Sequence, residues 1–171
     1  MSKIKKPLIR RKREKKTNYK KRLNLLKGRT TRAVVRVFAQ SIVAQLIDYV
    51  PEGDKIVVGV NSLALKGLGW EHSCSNLPAT YLTGLLLGKL GKDKKIKNAI
   101  LDIGFHSKIP GSKVFAFVKG VIDAGIEVPF NEVMAPDDAR IKGEHIAAHL
   151  SKAKNITKDF EKIKAKILGG K

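Results

Sequence analysis

The sequence predicts an α/β fold: a mixed sheet with helices packed on it, a disordered basic arm in front and a helical appendage behind. Three observations carry that expectation. Three β-like runs follow one another at turn-length spacing between residues 32 and 61. Beyond residue 61, short apolar runs alternate with segments of helical period. Fifteen of the thirty-five Lys and Arg residues stand in the first thirty-two positions, against the single acid Glu14.

Each element has a local cause. Residues 1–16 are too dense in one charge to offset their ordering entropy, and Pro7 interrupts the run, so disorder is expected there. In TNYKKRLNLLK, Tyr19, Leu23 and Leu26 recur at helical spacing; Thr17 or Asn18 can cap and Gly28 can stop. This short helix docks either on the body or on RNA. The runs 32–40, 42–50 and 54–61 are strands, and Gln40-Ser41 and Pro51-Glu52-Gly53 are the turns between them. Turns that short make an antiparallel three-stranded meander.

Asn76 and Pro78 then open a helix running to about Leu90, with Leu82, Leu85 and Leu86 inward and Gly84 allowing close packing. NAILDIG at 98–104 is a further strand, expected to be covered on both faces. Ser112 caps a helix of Val114, Phe115, Val118, Val121 and Ile122 that Gly125 ends. Glu127–Pro129 is a short edge strand. Pro136-Asp137-Asp138 opens a helix to about Leu150. Asn155 or Thr157 caps a last one, with Phe160, Ile163 and Ile167 on one stripe and Gly169-Gly170 as its stop. The expected division is a basic arm at 1–31, an α/β body at 32–135 and a helical appendage at 136–171.

Composition narrows the function. A chain of 171 residues with 43% apolar content can build one cored body with appendages. Cys74 is the single cysteine, so an internal disulfide and a cysteine zinc cluster are both excluded. Apolar stretches of seven or eight residues fall well short of the ~20 that span a bilayer. The charged N-terminus is no signal peptide, and the arm lacks the stripe of a membrane-surface helix. A soluble cytoplasmic protein with no membrane partner is expected. The arm needs a polyanion, and a phosphate backbone supplies one.

No catalytic constellation assembles. His145 and His149 have the spacing of helical zinc ligands, but Glu144 precedes His145 where the metalloprotease pattern needs Glu after it. Asp102 ends a strand where a nuclease carboxylate could sit. The first strand, however, offers Arg36 instead of an acid, and Asp48 is a weak substitute for the carboxylates that two-metal chemistry needs. Gly88-Lys89-Leu90-Gly91-Lys92 fails as a P-loop, because Asp93 follows the lysine. It reads as a helix end with a glycine stop and a solvated lysine run, Lys92, Lys94, Lys95 and Lys97. No cofactor, metal or small-molecule substrate is expected.

The stretch from Gly104 to Lys113 leaves a strand and enters a helix, so backbone donors and a positive helix end converge there. Phe105 and His106 can stack on bases, and Lys108 and Lys113 can meet phosphates. An ordinary connecting loop with Phe105 turned into the core is the equal alternative. Trp70, in the polar stretch Gly67–Asn76, anchors either the core or a partner.

Taken together, KTNYKKRLNLLK, RAVVRVFAQSIVAQLIDY, SNLPATYLTGLLLGK, LDIGFHSKIPGSKVFAFVKGVIDAGIEVP and RIKGEHIA resemble one known family over residues from about 10 to 149. It is the archaeal and eukaryotic branch of large-subunit ribosomal protein L-eighteen, which binds 5S rRNA. The resemblance implies a ribonuclease-H-like arrangement without the nuclease acids. It further implies anchoring of 5S rRNA in the central protuberance, beside 23S rRNA and neighbouring ribosomal proteins. Carried over, it places Arg10, Arg11, Arg13, Lys15, Thr17, Tyr19, Lys20 and Arg22 of the arm at the RNA, with His106, Lys108, Ser112 and Lys113 of the loop. The loop sequence FHSKIPGSK departs from bacterial members, where it is richer in Arg, Tyr and Gly. A ribonuclease-H-like nucleic-acid-processing enzyme is the alternative.

Overall fold

The structure, a computed structural model, describes residues 8–169. Residues 1–7 of the expected disordered arm, and Gly170 of the expected final stop, lie outside the described residues. The chain runs α1 (Arg10–Arg13), α2 (Tyr19–Leu26), β1 (Arg32–Val37), β2 (Ile42–Val50), β3 (Gly53–Asn61), α3 (Ala64–Gly67) and α4 (Leu77–Asp93). It continues through β4 (Ile100–Asp102), α5 (Lys113–Asp123), α6 (Asp138–Lys142), α7 (Glu144–His149) and α8 (Ile156–Gly169). The single turn α1 buries no residue.

The four strands lie in the order β3-β2-β1-β4, antiparallel through the meander and parallel where β4 joins β1. Strand alternation sends Ala33 and Val35 of β1, Ala44 and Leu46 of β2, and Val58 and Val60 of β3 to one face. There they pack with Phe117, Val118 and Val121 of α5 and Leu87 of α4. A second apolar cluster joins the far side of α4 to α8, through Tyr81, Leu82, Leu85, Phe160, Ile163 and Ile167.

Helices α4 and α5 touch at glycines. A Cβ on Gly84 would collide with the carbonyl oxygen of Phe117, and one on Gly120 with that of Tyr81. Only a hydrogen at each site lets the backbones come this close. The Tyr81 hydroxyl donates to Asp123 across the same contact at 2.6 Å.

Several expectations need correction. α4 runs through Gly88 and Gly91 to Asp93, because Gly91 is buried against Leu46 and Ile126; the left-handed residue that ends the helix is Lys95. β4 has three residues and is only partly covered, Ile100 and Leu101 being half-buried, since it is the sheet edge beyond β1. Ser112 occupies the cap position of α5, but its Oγ makes no cap bond and is buried without a partner. Glu127 forms an isolated bridge with Asn98 instead of a strand. Left-handed Gly143 divides the expected 136–150 helix into α6 and α7.

Candidate nucleic-acid interface

Strand alternation places the other residues of the sheet on its second face: Arg32, Val34 and Arg36 of β1, Gln45 and Ile47 of β2, Asp54 of β3 and Asp102 of β4. This face receives α2 instead of α4 and α5. Asn18 caps α2 by accepting the Lys21 N–H at 3.0 Å. No residue of α2 is buried. Polar contacts hold it. Arg22 donates two hydrogen bonds to Asp54, each 2.8 Å, and Lys21 donates to the carbonyl of Gly104 at 2.9 Å.

Beneath α2 lies a groove of about 280 Å³, lined by Arg11, Lys16, Lys21, Arg22, Arg32 and Arg36 against the two acids Asp54 and Asp102. Arg32, 2% exposed, sits between those acids. Its Nη1 donates to Asp102 at 3.1 Å. Its Nη2 is 2.7 Å from Asp54, close enough for charge pairing but misaligned for a hydrogen bond, and its Nε has no partner. Arg36 donates to the backbone carbonyl of Asp102 at 2.9 Å and reaches its carboxylate at 3.4 Å. Arg22 first, then Arg32, hold the Asp54 carboxyl below its ordinary value of 3.8. Asp102 is therefore committed to two arginines. Among the described residues no group of three His, Cys, Asp or Glu converges as a metal site would require.

The arm residues singled out from sequence stand on or before α2. Arg10, Arg11, Arg13, Lys15, Tyr19 and Lys20 are exposed, and Thr17 is half-buried with its Oγ1 accepting from Arg11 at 2.9 Å. Arg22 differs from them in being fixed to Asp54. In the loop, His106 and Lys108 are exposed and Lys113 starts α5, half-buried. The Nε2 of His106 accepts the Val37 N–H at 3.4 Å, which ties the loop to β1. Phe105 is 57% exposed and thus turned outward. Trp70 is 1% exposed and belongs to the core, its indole N–H donating to the Ser73 carbonyl at 3.0 Å. Sequence reasoning missed the groove residues Lys21, Arg32 and Arg36. The signal for two of them was arginine four positions apart on the first strand, an even spacing that turns both to one face.

The Lys21–Gly104 contact joins residues 83 apart in sequence and brings the arm helix to the loop. Arm, loop and open sheet face thus form one basic surface, on the side of the sheet away from α4 and α5. No helix among the described residues is long and apolar enough to cross a membrane. The family described as ribosomal large subunit proteins 60S L5 and 50S L18 matches residues 4–97. The chain is also 43% identical over 159 residues to a large ribosomal subunit protein uL18 of Methanoregula boonei, a similarity covering 93% of this chain and 91% of that protein. The chain belongs to this family of large-subunit ribosomal proteins, structural components of the cytoplasmic ribosome and not a family of enzymes.

Proposed function

We propose that the chain binds 5S rRNA and holds it beside 23S rRNA and neighbouring proteins in the central protuberance of the large subunit. The observation that carries this reading is the hydrogen bond from Lys21 to Gly104, which merges the arm and the 104–113 loop into one continuous basic surface. Phosphates neutralise the arm through Arg10, Arg11, Arg13, Lys15 and Lys20, while Thr17 and Tyr19 add hydroxyl and aromatic contacts. Arg22 acts by holding α2 on Asp54 as well as by its charge. His106, Lys108 and Lys113 supply the second contact, with exposed Phe105 free to stack on a base, while Ser112, whose hydroxyl is buried, places the start of α5 at that contact. In this scheme 1–31 is the RNA-binding arm, 32–135 the scaffold and 136–171 a helical addition that covers α4.

The role is structural, without turnover. The pairing of Asp102 with Arg32 and Arg36 favours this over the nuclease alternative, because a carboxylate so neutralised is a poor metal ligand. Nuclease protection of 5S rRNA by the purified protein tests the reading. Protection of a defined segment, with no metal-dependent cleavage of RNA or RNA–DNA hybrid, is expected. Uniform digestion of 5S rRNA in the presence of excess protein would refute it.

A further inference from the structure

We infer that the groove between α2 and the open sheet face is a binding site for a phosphate oxyanion, held by Lys21 and Arg36. Inside the groove four cations, Lys21, Arg22, Arg32 and Arg36, face two carboxylates, Asp54 and Asp102. Arg22 and Arg32 are drawn into those acids. Asp102 is shared by Arg32 and, at 3.4 Å, by Arg36, so four cations against two acids leave two positive charges over, on Lys21 and on the weakly paired Arg36, with Arg11 and Lys16 also lining the groove.

These two cations converge on one short stretch of backbone. Arg36 donates to the Asp102 carbonyl and Lys21 to the Gly104 carbonyl, both at 2.9 Å. Gly104 has φ +60°, and a Cβ there would lie 3.1 Å from the Arg36 guanidinium carbon, so glycine is what lets the guanidinium lie against this turn. Each cation keeps N–H groups beyond those its recorded bonds use, and the Arg36 side chain is 38% exposed. A second observation is independent of these bonds: the Nε of fully buried Arg32, a groove-lining residue, has no hydrogen-bond partner. Burial, reinforced by Lys108 and Arg36 and opposed by Asp102, pushes the Lys21 ammonium below its ordinary value, a cost that an arriving oxyanion removes. Planar guanidinium and ammonium donors side by side suit a tetrahedral oxyanion better than a halide.

The oxyanion has two possible sources, a backbone phosphodiester or free phosphate; the first rests on the RNA-binding reading. The test follows arginine Nε–H and backbone amide resonances of the full chain. Sodium phosphate is titrated against sodium chloride at matched ionic strength, and 5S rRNA affinity is measured as a function of salt. Saturable shifts of Arg36 Nε–H and the Gly104 amide with phosphate alone are expected, and the Gly104 amide should no longer shift in Lys21→Gln/Arg36→Gln. If RNA is the source, that double variant also flattens the log–log salt slope by roughly 0.7–0.9, the value of one phosphate contact. An unchanged slope with intact phosphate saturation assigns the site to free phosphate. Equal shifts with chloride, or none with either salt, overturn the inference. Amide spectra check folding of the double variant, and Lys21→Gln alone, on a helix with no fully buried residue, serves if it fails to fold. Should the unmodified protein not bind 5S rRNA, the RNA-binding reading falls and the phosphate titration still decides the groove.

Discussion

Helices α2 and α8 look alike as sequence and are held in opposite ways. Both are rich in lysine, and both carry apolar residues at the same spacing: Tyr19, Leu23 and Leu26 in one, Ile156, Phe160, Ile163 and Ile167 in the other. α8 buries all four of its stripe residues. α2 buries none, and Leu23 stands 59% exposed. The difference lies in what each helix meets. α8 meets the far side of α4, whose Tyr81, Leu82 and Leu85 offer apolar surface. α2 meets a sheet face of Arg32, Arg36, Asp54 and Asp102 and is fastened there by charge. Periodicity defines a face; it does not define the partner of that face.

Truncating the stripes should break the likeness most visibly. Phe160→Ala should lower unfolding free energy by about 3–5 kcal/mol, the usual cost of emptying a buried phenylalanine site. Leu23→Ala should change it by no more than about 0.5 kcal/mol. Urea denaturation measures both, and equal costs would end the contrast.

Gly120→Ala tests the support on which α8 rests. The added methyl meets the Tyr81 carbonyl, so α4 and α5 must separate. A loss of about 1–3 kcal/mol is expected from such overpacking. Thermal melting should show it, with 5S rRNA binding kept at temperatures where the variant is folded.

Acid should separate the two helices without mutation. The Asp54 carboxyl is held below 3.8, chiefly by Arg22, so it ionises more readily folded than unfolded. Its stabilising contribution is present above that value and is lost as pH falls through the depressed one. At pH 4–5, α2 should therefore stay docked. Below about pH 3.8 amide protection of residues 19–26 should drop before that of 156–167. Simultaneous loss would mean that burial, not charge, holds α2.

The smallest effect on folding should come from the loop. His106→Ala, Lys108→Ala and Lys113→Ala together remove side chains that are exposed or half-buried. Melting should shift little, yet preference for 5S rRNA over a length-matched unrelated RNA should fall, because base contacts specify where phosphates only position. Full retention of preference in competition binding would move recognition off the loop.

Much of this fold was legible. The meander followed from Pro51-Glu52-Gly53 and from strand alternation, and α8 from its stripe. α4 was legible as a helix but not in extent. Covered by the sheet on one side and by α8 on the other, it has no polar face to end, and its glycines serve packing instead of termination. The groove was the hardest to read. Its residues come from α1, the segment before α2, α2 itself, all four strands and the turn after β4, and only the fold brings them together. Phe105 was left open because an aromatic beside a glycine turn fits core and surface equally, and only the edge position of β4 decides it. Trp70 is the converse, a residue in a polar stretch whose environment is set by α8, some ninety residues later in the chain.

The central claim is that the arm is the main phosphate-binding element while the body folds without it. Deletion of residues 1–22 tests this most directly, since it removes twelve Lys and Arg side chains and no buried one among the described residues. If about half of them neutralise phosphates, the log–log salt dependence of 5S rRNA affinity should flatten by about four to five units, with cooperative unfolding retained. A truncated protein that keeps the full salt slope would contradict the account.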